Sequence, residues 1–271
     1  MASEFTYTEL NMDRDNIDLQ SEQIADLIVA SRRIVVFTGA GISTESGIPD
    51  FRGKDGIWTK LDPEDFTIQR FVARPEVRKM QWKMLAEGGM IKDVKPNDAH
   101  YAVAELEKLG KLDCVVTQNI DNLHQVAGNS PEIVFELHGN MQYVRCLGCH
   151  KRFPMAEIIA RLAVEEVPAC EQCQGILKPD AVFFGEALPE QVLSEAVKRA
   201  SQCDLCIVIG STLVVYPAAY VPLYARDAGA KIVIINLGET PMDAQAAVCV
   251  EGKAGDVMSR VMRYVKSKIG K

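Results

Sequence analysis

Residues 34–47 read IVVFTGAGISTESG, an apolar run that passes straight into a glycine-rich turn. Ile34–Phe37 is short and rich in β-branched residues, the composition of a strand covered on both faces. The turn Thr38-Gly39-Ala40-Gly41-Ile42-Ser43 lets backbone N–H groups approach a pyrophosphate, with a helix N-terminus behind them. The match to the dinucleotide fingerprint G-x-G-x-x-G is partial, because Thr44 holds the third glycine position and Gly47 comes later. The acidic residue that usually closes a second strand roughly 20 residues on is also missing. On its own the stretch is a weak signal for a nucleotide, and it is not an ordinary dehydrogenase site.

Working outward, Cys114–Val116, Val134–Leu137, Leu205–Ile209 and Ile232–Ile235 repeat the pattern of the first run. Segments of helical spacing lie between them. In Asn97 to Gly110 the apolar positions are Ala99, Val103, Leu106 and Leu109; Glu190 to Ala200 and Gly255 to Ile269 look alike. Strands alternating with helices predict an α/β domain with a parallel sheet covered on both sides. Gly210-Ser211-Thr212 and Asn236 then fall at carboxyl ends of strands, where open α/β sheets bind ligands. Two stretches break the rhythm. Residues 58–96 hold aromatic-rich, helical pieces without a strand, and residues 140–180 hold four cysteines in a polar, irregular setting. The expected organisation is a large domain of 1–57, 97–139 and 181–271, with the two insertions forming a smaller second domain.

The chain has 271 residues, 48% hydrophobic and 25% charged, with a formal net charge of −7 and a pI near 5.3. This balance argues against binding to a phosphate backbone, which needs a basic surface. No apolar stretch of about 18 residues suggests a membrane span. Met1 to Asp18 is polar and mostly acidic, unlike a signal peptide. A soluble, cytoplasmic protein with reduced thiols is the expectation.

Cys146-x₂-Cys149, then twenty residues, then Cys170-x₂-Cys173, is the strongest physical signal in the chain. Zn²⁺ takes four soft ligands in a tetrahedron, and each knuckle supplies two from one tight turn. Four thiolates leave no position for a catalytic water, so the metal is structural. Gly148 and Gly175 sit where such knuckles are expected to need an unusual backbone. Cys203 and Cys206 repeat the spacing but lead into an apolar run; they read as core thiols, as do Cys114 and Cys249.

Gly39 to Gly53, GAGISTESGIPDFRG, closely resembles the signature of the sirtuins. Further segments agree in order: Thr117 to His124 (TQNIDNLH), His138-Gly139, the two cysteine knuckles, Lys178 to Glu186 (KPDAVFFGE) and Gly210 to Pro217 (GSTLVVYP). The resemblance spans roughly residues 20 to 265. It implies a Rossmann-type domain with an inserted zinc-binding and helical domain, and NAD in the cleft between them. Ala40 and Thr44 would line the pyrophosphate and ribose, with Arg52 nearby, and Phe51 would sit over the reacting ribose carbon. Ile120 and Asp121 would hold the nicotinamide carboxamide, and Gln118 and Asn119 the ribose side. Ser211, Thr212 and Asn236 would reach the adenosine half, with Asp256 or Val257 capping the adenine.

The same resemblance implies an NAD-dependent deacylase acting on acyl-lysine proteins or peptides and releasing nicotinamide, O-acyl-ADP-ribose and free lysine. Asn119 and His138 would be catalytic. His138 at a strand's carboxyl end would serve as general base toward a ribose hydroxyl, since imidazole titrates near neutrality. The bland reading of His138 is a buried histidine closing a strand. His124 is expected to be structural, within the loop that aims Asn119 and Asp121, while a surface or helix-capping role suffices for His100 and His150. Val182, Phe184, Gly185 and Glu186 on one side, and Val215 on the other, would pair with the substrate backbone. Relatives that prefer dicarboxylic acyl groups carry a Tyr and an Arg three residues apart in the helical module. Trp82-Lys83-Met84-Leu85 stands there in this chain, which favours neutral acyl groups. The competing readings are a protein ADP-ribosyltransferase and an NAD- or ADP-ribose-sensing binding module; oligomeric state is not readable.

Overall fold

The five apolar runs and one further strand pair side by side in the computed structural model, which describes residues 7–51, 53, 56–89, 91 and 93–270, with side chains from residue 16 onward. The strands are β1 Ile34–Thr38, β2 Leu112–Thr117, β3 Val134–Glu136, β4 Gly139–Cys146, β5 Arg152–Pro154, β6 Leu177–Ala181, β7 Leu205–Ile209, β8 Lys231–Asn236 and β9 Val248–Glu251. The helices are α1 Tyr7–Ala30, α2 Ile68–Ala73, α3 Pro75–Ala86, α4 Asp98–Lys108, α5 Leu123–Ala127, α6 Met155–Arg161, α7 Glu190–Ala200, α8 Tyr220–Asp227 and α9 Ala254–Ile269. The large sheet is parallel throughout, in the order β3-β2-β1-β7-β8-β9. The chain builds outward from β1 to β3, then returns to the other side of β1 to lay down β7. A crevice therefore opens at the carboxyl ends of β1 and β7, as in Rossmann-type sheets.

The alternation of β1 shows why the sheet needs helices on both faces. Ile34 and Val36 pack with Ile24 and Ile28 of α1, Val103 and Leu106 of α4, and Val257 and Val261 of α9. Val35 and Phe37 point the other way, against Ala196 and Ala200 of α7 and Val221 and Ala225 of α8. All five residues of β1 and all five of β7 are buried. Full burial of each Val, Ile or Phe contributes about 1.5–3 kcal/mol, so an exposed face on either side would leave the sheet unstable.

A second sheet, antiparallel, has the order β5-β4-β6. Its core joins Val144, Cys146, Phe153, Ile158, Cys170 and Leu177 to Trp82 of α3, so the helical insertion and the cysteine-rich insertion share one apolar cluster. No described helix is long and apolar enough to cross a membrane.

The sequence reading misses two elements of the large domain. α1 lies in the polar, acidic start of the chain, but Ile24 and Ile28 recur one turn apart and are fully buried. β9 alternates buried and exposed residues, as an edge strand does, instead of forming an apolar run. That alternation corrects the expectation for Cys249, which is exposed; Cys114, Cys203 and Cys206 are buried. Burial pushes the Cys203 thiol up to about 11, and its Sγ donates to Ala200 C=O.

Candidate active site

The carboxyl ends of β1, β2, β3, β7 and β8 open on one cavity of about 860 Å³. From the expected nucleotide set, Ala40, Thr44, Phe51, Gln118, Asn119, Ile120, Asp121, His138, Ser211, Thr212 and Asn236 all line it. Arg52 lies outside the described residues. Neither expected adenine cap faces the cavity: Val257 is buried in the core and Asp256 pairs with Arg260 at 3.2 Å. Gly252, Lys253 and Ala254, one turn earlier, line the wall instead.

Two strand ends meet at the crevice with almost no space between them. Gly210, at φ +64°, would place a Cβ 2.2 Å from the Ile42 nitrogen, and a Cβ on Gly41 would stand 2.6 Å from the Gly210 Cα. Gly41 N–H donates to Gly210 C=O at 2.8 Å, locking the turn after β1 to the end of β7. The turn continues as a 3-10 helix, Ala40–Ser46, rather than an α-helix. Thr44 replaces the third glycine of the fingerprint without strain, its hydroxyl folding back onto Gly41 C=O at 3.0 Å.

Below this turn lies a buried polar floor. Ser43 Oγ donates to Asp121 Oδ2 at 2.7 Å and accepts from Asn119 Nδ2 at 3.0 Å. Asp121 Oδ1 takes the Leu123 N–H at 2.9 Å. Asp121 thus aims Asn119 through Ser43, which sequence reading did not single out. Behind Ser43 stand two histidines, His100 and His124, with ring centroids 5.1 Å apart. His100 Nδ1 accepts the Asn97 N–H at 3.4 Å, completing a capping box on α4, and its Nε2 reaches Ser43 Oγ at 3.4 Å. The capping expectation for His100 holds, but the residue is fully buried and belongs to the site floor, not the surface. His124 Nε2 lies 3.0 Å from Thr38 Oγ1. Burial pulls His100 down to about 4, against the opposing field of Asp121, and His124 down to about 3. Both rings are neutral at pH 7. His150 sits exposed in its knuckle.

His138 follows β3 and points into the cleft. Its Nδ1 lies 2.9 Å from Gln118 C=O, and since a carbonyl accepts, Nδ1 carries the proton and Nε2 keeps its lone pair. Burial lowers the His138 pKa, with the Gln118 carbonyl acting in the opposite direction. The ring is therefore held as a neutral base in one tautomer. Gln118 is fixed in turn, its Oε1 accepting from Ser211 Oγ at 2.8 Å.

Val182, Phe184, Gly185, Glu186 and Val215 line the other side of the cavity. The main chain of Phe184 is already committed: its N–H donates to Phe66 C=O at 3.1 Å, and its C=O accepts from Ile68 N–H at 3.0 Å. Phe184 thus offers its ring; of its neighbours, Val182 N–H donates to His138 C=O at 2.8 Å and Glu186 N–H to Phe183 C=O at 3.0 Å, so Gly185 is the position whose main chain stays open. Phe51, Phe66 and Phe184 surround Trp58 at 5.3, 5.4 and 5.7 Å, an aromatic cluster in which Trp58 had no motif to mark it. Glu186 is anchored from behind. Its Oε2 accepts from Phe183 N–H at 2.7 Å and pairs with the buried Lys178 at 2.9 Å, whose ammonium also sits over the Phe183 ring at 4.2 Å.

The sulfurs of Cys146, Cys149, Cys170 and Cys173 all lie within 4.8 Å of one another, with 3.4 Å between Cys146 and Cys173 and 3.7 Å between Cys149 and Cys170. A tetrahedron with Zn–S bonds of about 2.3 Å has edges of about 3.8 Å, so the set fits one tetrathiolate zinc. Burial opposes ionisation of Cys146, but the N–H groups of Cys149 and Gly148 outweigh it and bring the thiol down to about 6. The knuckle glycines act through space rather than backbone angle: a Cβ on Gly148 would stand 3.3 Å from Cys173 Sγ, and one on Gly175 3.0 Å from Cys146 Sγ. The left-handed positions expected there fall on His150 and Gln174. With four thiolates the coordination sphere is full, and the zinc is structural.

Residues 39–217 match the family model described as the Sir2 family. The NAD-dependent protein deacylase 2 of Archaeoglobus fulgidus is 45% identical over 249 residues, covering 89% of this chain and 94% of the relative. The NAD-dependent protein deacetylase 1 of Pyrobaculum aerophilum is 44% identical over 270 residues, covering 99% and 100%. A solved Sir2–p53 peptide–NAD⁺ structure superposes with a TM-score of 0.82 at 42% identity, covering 91% of this chain and 98% of that one. On motifs, fold and these relationships, the chain belongs to the Sir2 family.

Proposed function

We infer that this protein is an NAD-dependent protein-lysine deacylase that converts acyl-lysine polypeptides to free lysine, with nicotinamide and O-acyl-ADP-ribose as the other products. The observation that carries this reading is His138: a neutral imidazole in a cleft at the sheet's switch point, its Nδ1 proton fixed on Gln118 C=O and its Nε2 free to accept a proton. The cleft fits NAD, because Gly39, Ala40, Gly41 and Thr44 bring the turn after β1 to its wall, and Asn119, Ser43 and Asp121 supply a polar floor. When bound, NAD supplies an electrophilic ribose carbon and a leaving nicotinamide, which makes the reaction a transfer of the acyl group to ADP-ribose.

The chain's own residues do the rest. Ala40 and Thr44 line the phosphate and ribose region, Ser211, Thr212 and Asn236 the adenosine half, and Gln118, Ile120 and Asp121 the nicotinamide side. Asn119, oriented by Ser43, faces the reacting centre. Phe51, in the aromatic cluster with Trp58, excludes water, which strengthens each polar contact beneath it. His138 Nε2 takes the proton from the ribose hydroxyl. Protein ADP-ribosyl transfer and NAD sensing have no need of a base held in this way. Gly185 and Val215 receive the substrate main chain beside the Phe184 ring, with Val182 and Glu186 flanking it.

Neutral acyl groups are preferred. Met84 and Leu85 line the cleft, whereas Lys83 is exposed beside Glu87 at 3.8 Å and offers no buried partner for a carboxylate. The free thiols and the thiolate zinc site fit a reducing compartment such as the cytoplasm. Incubation with NAD and an acetyl-lysine peptide tests the function: one nicotinamide should appear for each acetyl group lost from the peptide mass. A peptide that gains the mass of ADP-ribose, or nicotinamide release without deacetylation, refutes it.

A further inference from the structure

Exposed apolar side chains on a soluble protein are ordinarily scattered singly. Here six of the thirteen large ones among the described residues, Phe184, Val214, Tyr216, Tyr220, Tyr224 and Leu237, gather at the rim of the cleft or run outward from it. Four of them form one stripe. Val214 and Tyr216 line the cavity mouth, Tyr216 packs on Tyr220 with ring centroids 4.6 Å apart, and Tyr224 follows Tyr220 by four residues on the same face of α8. Each of the four is roughly half exposed, while Val221 and Ala225, which face the sheet, are fully buried in its core. The fold is secured by that buried face, so it does not account for two exposed tyrosines on the helix and a third just before it. Among the described residues, none of the three hydroxyls has a hydrogen-bond partner.

The stripe is continuous with Val215, where the substrate main chain would leave the groove. A polypeptide held there passes over Tyr216 next. Tyr216 to Tyr224 spans about 10 Å, the reach of about three residues of extended chain. Across the groove, Asp62, Glu64 and Asp65 share the single guanidinium of Arg70 beside Phe66, which leaves that rim acidic. On α8 itself, Arg226 is tied to Asp227 at 2.6 Å. Aromatic faces attract Lys and Arg side chains, guanidinium above all.

We propose that Tyr216, Tyr220 and Tyr224 form an extended substrate subsite that binds the segment adjacent to the acyl-lysine and selects segments carrying Arg or Lys. The proposal rests on the deacylase reading for the position of the acyl-lysine, and it adds a sequence preference to a groove that otherwise recognises main chain. Two exposed cation–π contacts, each about two- to fivefold, give an expected preference of about four- to twenty-five-fold.

The test compares a short acetyl-lysine peptide with peptides extended on either side by Arg-, Ala- or Glu-containing segments. Binding is read by fluorescence anisotropy of labelled peptides and turnover by mass, for the wild type and the Tyr220→Ser/Tyr224→Ser variant. The expected result is tighter binding and lower KM for an Arg-extended peptide, lost in the variant, with the short peptide unchanged in both. Equal binding of Arg- and Glu-extended peptides by the wild type, or an Arg preference that survives in the variant, overturns the proposal. A variant that changes sedimentation but not peptide binding also overturns it, assigning the stripe to a second copy of the chain. Failure of the deacylase reading would show separately, as absence of deacetylation for every peptide while the anisotropy comparison still reports on the stripe.

Discussion

Acidification should destabilise this protein well above the range in which carboxylates titrate, because the floor of its active site contains histidines that cannot accept protons. Burial holds His100 near 4 and His124 near 3, and lowers His138 as well. Each folded value lies below the ordinary 6.5, so the unfolded chain takes up these protons first. The stability is present above pH 6.5 and is lost as pH falls through the window down to the folded values. Each proton costs about 1.4 kcal/mol per pH unit. His100 and His124 together should remove about 2.4 kcal/mol between pH 6 and pH 5, with His138 adding to it, out of a typical total of about 5–15 kcal/mol. Glu107, Asp204 and Asp243 are held below their ordinary values and contribute in the same direction only at lower pH. Glu136, pushed up by burial, opposes the trend. Urea denaturation midpoints at pH 7, 6 and 5, at constant ionic strength, measure the slope. His124→Gln should lower it by about one proton. A midpoint that stays level from pH 7 to 5, or a slope unchanged in the variant, would refute the reasoning.

Three further outcomes follow from the geometry. Protein purified without chelators should carry one zinc per chain by metal analysis, and Cys170→Ala should lose it and unfold the cluster around Trp82, since metal binding energy is folding energy there. Lys178→Met leaves the Glu186 carboxylate without its buried cation; it should cost about 3–5 kcal/mol in a denaturant titration and raise KM for peptide more than for NAD. Side-by-side assays of acetyl- and succinyl-peptides should favour acetyl strongly, because an unpaired carboxylate entering an apolar channel pays its desolvation in full. Comparable desuccinylation would show a cation reaching the channel.

What was legible in the sequence is what lies close together along the chain. The Ile34–Ser43 strand and turn, the cysteine knuckles and the polar ends of the later strands are each contained within about ten residues, and each carries a local physical signature. The site's interior is not of that kind. Ser43 meets Asp121 across 78 residues and His100 across 57, and no periodicity announces such a meeting. His100 could have been suspected from Asn97 three residues earlier, which makes it half of a capping box, but its burial depends on where α4 packs. Phe184 was legible as part of a motif, while the commitment of its main chain to Phe66 and Ile68 is set by tertiary pairing with the helical insertion. Trp58 had no local signature, and only its neighbours Phe51, Phe66 and Phe184 give it a place.

The proposed role of His138, a base that acts after NAD has been engaged, is tested directly by one variant. His138→Ala removes the imidazole but not the Gln118–Ser211 bond or the Ser43–Asp121 floor, so folding and NAD binding should persist. General-base assistance typically accounts for about 10²–10⁴-fold in rate. Deacetylation should fall by that amount, while nicotinamide exchange, which reports the step before the proton is taken, should fall much less. Near-wild-type deacetylation by a folded His138→Ala protein would contradict the account.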